Sequence, residues 1–181
     1  MTAEMLGTLT SDDRPPLLDA ANVDLKAFTD AFYKRECGAR LQPVLDSLML
    51  MKQRGVWLEV TTLLIPGLND SDAELRDLTH WLVTELGLDT PWHISRFHPT
   101  YRLTDRPPTP VDTLHRARDI GRQAGLRYVY EGNVPGAGGE DTLCPVCGQV
   151  AIKRVGFDVY ANTMRQGTCA YCGAAVAGVW E

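Results

Sequence analysis

Two cysteine pairs constrain this chain more than any other feature. Cys144-Pro-Val-Cys147 and Cys169-Ala-Tyr-Cys172 each set two thiols two residues apart, a glycine follows each pair (Gly148, Gly173), and 21 residues separate Cys147 from Cys169. A two-residue spacing lets both sulfurs reach one ion from a tight turn, and the glycine lets the backbone fold beneath them. Four thiolates complete a closed tetrahedral shell, which suits structural zinc. Iron in a rubredoxin-like site is the competing occupant. The residues between the pairs (151–152, 155–157 and 159–160) suit short ribbon strands. A segment of about 40 residues is too small for a strong core of its own, so a metal supplies the missing stability.

The rest of the chain reads as alternating strands and helices. Apolar runs over 21–25, 57–65, 92–97 and 126–130 predict four strands. Leu41, Val44, Leu45, Leu48 and Met49 recur at helical spacing, and Gly55 ends that helix. Ser71 and Glu74 form a capping-box pattern ahead of Leu75, Leu78, Leu82 and Leu86. Thr109 as N-cap with Pro110 at the first helical position opens a third helix, which Gly125 ends. The order β-α-β-α-β-α-β with short connections predicts right-handed crossovers and a parallel sheet, with too few strands to close a barrel of eight. The glycine-rich stretch 132–141 reads as a linker, dividing the chain into 1–134 and 135–181.

Composition excludes several classes. Apolar residues make up 44%, enough for a core. Net charge is -5, and the cysteine segment holds only Lys153, Arg154 and Arg165 as basic residues, which argues against a nucleic-acid partner. No apolar run is long enough to span a membrane, and the N-terminus lacks the pattern of a signal peptide, so the expected location is the cytoplasm. Phosphate loops and serine nucleophile elbows are absent.

Polar residues collect at the predicted strand ends: Asp24 and Lys26; Pro66, Gly67, Asn69 and Asp70; Arg96 and His98; Glu131 and Asn133. In a parallel sheet these ends share one edge, where ligands bind in such folds. Asp70 also reads as a turn and cap group. His93 and His98 are a poor metal pair because they face opposite ways on a strand. His80 and His115 read as solvated or packed helix residues, Trp57, Trp81 and Trp92 as the core or its edge, and Cys37 as a small buried side chain.

The strings AANVDLKAF, YKRECGARL, EVTTLLIPGLNDS, PWHISRFHP, DRPPTP, YVYEGNVPG and CPVCG…CAYCG, in that order, resemble the AmmeMemoRadiSam system radical SAM enzyme family, relatives of the pyruvate formate-lyase activating enzymes. The likeness runs from about Ala20 onward. It implies a partial (β/α) barrel, the C-terminal half of a radical SAM barrel, followed by a zinc-ribbon-like knuckle. It also implies S-adenosylmethionine and a 4Fe–4S cluster in a complete enzyme, which generates a 5'-deoxyadenosyl radical for hydrogen abstraction from a substrate, often a protein. Asp24 and Lys26 match the element near the methionine end of S-adenosylmethionine. Pro66 and Gly67 match the turn on its adenine side, His98 a histidine near the cofactor, and Thr61 a cofactor-facing strand residue. The CxxxCxxC that ligates the cluster is absent from the sequence, and residues 1–18 read as the middle of a larger protein. The expectation is therefore a fragment inactive alone, with a protein substrate or partner subunit. A non-catalytic module docking on a cluster-bearing partner and a rubredoxin-like electron carrier are the rival readings. An uncovered first strand predicts self-association.

Overall fold

Every second residue of Trp57–Leu64 is apolar or threonine and fully covered: Leu58, Val60, Thr62 and Leu64 lie under helices, while Trp57, Glu59, Thr61 and Leu63 remain half-buried on the other side. That alternation sets the architecture, a sheet with helices on one face and an open second face. The computed structural model describes Gly7 and residues 17–134, 138–156 and 158–180. The strands are β1 (Ala20–Asp24), β2 (Trp57–Leu64), β3 (Trp92–Arg96) and β4 (Val129–Gly132), all parallel and in that order across the sheet.

Four helical segments connect them. A short turn, α1 (Asp30–Phe32), runs into a π-helical turn at Tyr33–Cys37. Next come α2 (Gln42–Gln53), α3 (Asp72–Trp81) with its π-helical extension Leu82–Leu86, and α4 (Val111–Ala124). Leu45, Leu48, Leu75, Leu78, Leu82, Leu114, Ala117 and Ile120 join the covered strand residues in one core. Trp92 is fully buried there, its indole N–H donating to Thr62 Oγ1, which in turn donates to the Leu25 carbonyl. A side chain at Gly121 would meet the Trp92 ring at 3.0 Å, so only glycine lets α4 sit this close.

Beyond β4, β5 (Thr142–Leu143), β6 (Val150–Val155) and β7 (Asp158–Asn162) form a small antiparallel sheet. Residue 157, read above as part of a ribbon strand, lies outside the described residues, as do 135–137, where the expected division between 1–134 and 135–181 falls, and most of 1–18. Among the described residues no helix is long and apolar enough to cross a membrane.

Local expectations need four corrections. The helix expected to begin at Pro110 begins at Val111, with Pro110 in the N-cap position. Thr109 caps nothing: its buried hydroxyl donates to the Leu64 carbonyl and accepts from the Phe97 N–H, tying the ends of β2 and β3 together. Two backbone partners on neighbouring strands outcompete one helical N–H. Ser71 does cap α3, accepting from the Glu74 N–H, but Glu74 completes no box and instead accepts from the Phe28 N–H at 2.7 Å. Cys37 is exposed rather than buried, because it ends the π turn on the solvent side.

Candidate functional site

The metal knuckles are built as the spacing predicts. Gly148 and Gly173 adopt positive φ (71° and 73°), and their N–H groups bond back to the carbonyls of Cys144 and Cys169. The Cys144 and Cys169 N–H groups in turn reach the Gln149 and Ala174 carbonyls, so the two turns repeat one design. The four sulfurs lie within 4.8 Å of one another, with Cys144–Cys172 at 3.6 Å and Cys147–Cys169 at 3.7 Å. A tetrahedron with metal–sulfur bonds of about 2.3 Å has edges of about 3.8 Å, whereas a disulfide needs about 2 Å. The spacing therefore fits one shared ion.

Crowding drives two of the thiols in opposite directions. Burial opposes the Cys144 thiolate, yet the N–H groups of Cys147 and Val146 and the adjacent thiols bring it down to about 6. Cys147 is pushed up to about 12: a bond from Gln149 favours its thiolate, but burial and its three sulfur neighbours prevail. A cation removes that conflict. The closed shell leaves no open coordination position for a substrate.

The residue just before strand β4 enters this centre directly. Tyr128 is buried with Cys144, Cys169 and Val176, and its hydroxyl accepts from the Ala177 N–H at 3.0 Å. Two residues on, Tyr130 bonds Thr142 Oγ1 and lies beneath the Arg154 guanidinium.

At the carboxyl edge of the parallel sheet, Asp24 and Lys26 form an exposed ion pair at 2.7 Å. Gly67, at φ 72°, donates to Asp70 Oδ1, as the turn reading requires, and the Pro66 carbonyl accepts from Arg106. His98 is exposed. Asp24, Lys26, Pro66, Gly67 and His98 thus stand at or just past the ends of β1, β2 and β3. Four rim residues hold partners within the fold. Asn69 is buried and spends its amide on the carbonyls of Lys26 and Leu63 and on the Ile65 N–H. Arg96 donates to the Thr109 carbonyl, and Asn133 donates to the Arg96 carbonyl. Glu131 points toward the helices, fully buried, where it binds Arg118 at 3.0 Å and His115 at 2.9 Å. His115 is thus a hydrogen-bond partner of a buried carboxylate, not merely a packed helix residue.

Sequence reasoning missed the open face. His93, a poor metal partner for His98, instead bonds Glu59 on the neighbouring strand, at 2.7 Å. The His93 ring stacks on Tyr130 with centroids 5.0 Å apart. The hydrogen bond from His93 holds the Glu59 carboxyl below its ordinary value, against the opposing effect of burial. Thr61 shares this face and donates to Asn22 Oδ1 at 2.8 Å. A cleft of about 670 Å³ opens over these residues and is closed on its far side by Arg154 and Gly156 of the small sheet. The signal was present as alternation: Glu59, Thr61, His93 and Tyr130 are the strand residues left between buried ones.

No family model matches the chain. A curated relative, an uncharacterized protein of Methanocaldococcus jannaschii, is 47% identical over 161 residues, which cover 88% of this chain and 48% of the relative. The chain thus spans about half the length of that protein. Among solved structures, the fold is similar to a domain of pyruvate-formate lyase-activating enzyme from Bacteroides vulgatus (TM-score 0.56, 13% identity, 64% of this chain and 68% of that one). It is also similar to a radical SAM methyltransferase from Sphaerobacter thermophilus (TM-score 0.50, 20% identity, 82% of this chain and 42% of that one). These likenesses establish the fold class: an α/β unit with a parallel sheet, of the kind seen in radical SAM proteins, followed by a four-cysteine cluster.

Proposed function

We propose that this chain is the C-terminal portion of a radical S-adenosylmethionine enzyme of the activating-enzyme type. The carrying observation is the strand-end rim. An Asp-x-Lys pair, a Pro-Gly turn and a histidine follow β1, β2 and β3 in order, on one edge of a parallel sheet whose fold is similar to radical SAM structures. Ligands bind at that edge in such folds. The Lys26 ammonium and Asp24 carboxylate complement the carboxylate and amine of the methionine moiety. The Pro66-Gly67 turn would hold the adenine side of the cofactor, with Thr61 and His98 as further residues toward it. A 4Fe–4S cluster, ligated by a CxxxCxxC that this sequence lacks, supplies the electron that generates the 5'-deoxyadenosyl radical in the complete enzyme. The role assigned to Cys144, Cys147, Cys169 and Cys172 is to hold a structural zinc. The expected setting is cytoplasmic, with a protein substrate.

The test is binding of S-adenosylmethionine to this chain, followed by amide shifts in NMR spectra. Shifts at Asp24, Lys26, Gly67 and His98 that vanish in Asp24→Asn and Lys26→Met support the reading. Shifts elsewhere, or shifts indifferent to both substitutions, refute it. A second reading, a module that docks on a cluster-bearing subunit, draws on the groove of about 1020 Å³ beside β1, lined by Val23, Val44 and Met51. It predicts a stable complex with a separate CxxxCxxC polypeptide.

A further inference from the structure

The cleft over the open sheet face has two chemically opposite walls. On the sheet side stands an acceptor. Glu59 is held by His93 and by the Trp57 indole N–H, and about a third of its side chain remains exposed. On the other side stands a donor, Arg154 of β6. Its backbone N–H is anchored on Asp141, and its Nη1 on the Glu140 carbonyl and Thr142 Oγ1. Its guanidinium lies over Tyr130 and acts electrostatically on Glu59 across the gap. The floor between them is the stacked His93–Tyr130 pair. His93 spends Nε2 on Glu59, and among the described residues its Nδ1 has no partner. The Asn22 side chain uses only its Oδ1, leaving two amide donors at the margin.

A ligand carrying one net charge meets a like charge on one wall. A neutral group that accepts at one end and donates at the other satisfies both walls. We propose that this cleft is a binding site for a carboxamide, its carbonyl toward Arg154 and its N–H toward Glu59. The volume of about 670 Å³ exceeds what one amide fills, so the amide is one recognition element of a larger polar ligand. The site adjoins the strand-end rim, with Thr61 and Asn133 in its lining, but it rests on Glu59 and Arg154, which the reading of that rim does not use. It does require the small sheet, because Arg154 comes from it. The four-cysteine centre therefore has a second consequence: it keeps in register the sheet that delivers the donor wall.

Three isosteric probes of different charge test the proposal on the whole chain with its metal bound: acetamide, acetate and acetamidinium, with glycine as a zwitterion. Amide and side-chain NMR shifts at Glu59, His93 and Arg154 report binding. For a four-atom probe the expected affinity for acetamide is about 1–50 mM. Glu59→Leu and Arg154→Met are each expected to weaken it about tenfold, with Glu59→Gln as a variant safer for folding and Arg154→Lys retaining part of the affinity. Thiol-directed removal of the metal should abolish the Arg154 response first. Tighter binding of acetate, acetamidinium or glycine at the same residues overturns the carboxamide assignment. Acetamide shifts that fall elsewhere, survive both substitutions, or fail to appear by about 100 mM overturn the site.

Discussion

Replacing Glu131 by alanine tests the most heavily committed carboxylate in the sheet. Its side chain is fully buried. Arg118 Nη1 lies 3.0 Å from Oε1, His115 Nδ1 lies 2.9 Å from Oε1 and 3.1 Å from Oε2, and the Glu131 N–H donates to the Gly139 carbonyl. Removing one partner of a fully buried pair costs about 3–5 kcal/mol. Arg118 is 25% exposed and His115 38% exposed, so water rescues part of the stranded charge, and about 2–4 kcal/mol is the expected loss. For a chain of this size that corresponds to a fall in Tm of roughly 5–12 °C, read by circular dichroism. The double variant Glu131→Ala with Arg118→Met removes both charges and should recover part of the loss, since Arg118 without Glu131 is a largely covered cation left with only the long contact to Asp119 at 3.5 Å. A loss below about 0.5 kcal/mol, or a double variant no better than the single one, would refute the view that Glu131 is a buried anchor rather than a ligand group.

Other expectations are shorter to state. Metal analysis should find one zinc and no iron per colourless chain, and Cys144→Ser with Cys169→Ser should unfold the small sheet; a red, iron-containing protein would favour the electron-carrier reading. Burial raises the Glu74 carboxyl above its ordinary value, against the Phe28 N–H that lowers it. Its contribution to stability is therefore complete below the unfolded carboxyl range and lost as pH rises through the folded value. Glu74→Gln should then gain stability relative to the parent between pH 4 and pH 7 and not at about pH 3; thermal melts across that range that stay parallel would contradict it. Gly121→Ala pushes a methyl to 3.0 Å from the Trp92 ring and should cost about 1–3 kcal/mol, visible as a shifted Trp fluorescence midpoint. With no strand paired to the outer edge of β1 among the described residues, the chain should self-associate; a monomer by light scattering at high concentration would count against that.

Much of the fold was legible because burial writes itself into the sequence at period two. Leu58, Val60 and Leu64 announce β2, and the cysteine pairs announce their centre, since both signals are local. What was not legible depends on register. Glu59 and His93 are 34 residues apart and meet only because β2 and β3 pair with Thr61 opposite His93. Glu131 was assigned to the ligand edge by its place at a strand end, but alternation within Val129–Gly132 turns Tyr130 to the open face and Glu131 to the helices. Thr109 looked like a cap because its better partners, Leu64 and Phe97, lie 45 and 12 residues away.

The bond from Ala177 to the Tyr128 hydroxyl spans 49 residues. On the ribosome, the last strand of the parallel sheet is finished long before the residue that covers its tyrosine exists. At usual elongation speeds that interval is roughly 3–10 seconds, during which Tyr128 has no lid. The sheet can settle in that time, but its final shoulder stays wet until Ala177 emerges and an ion is captured. A shortage of metal in the cell would therefore act on newborn chains, lengthening the window in which an uncovered strand edge meets its neighbours on the same polysome.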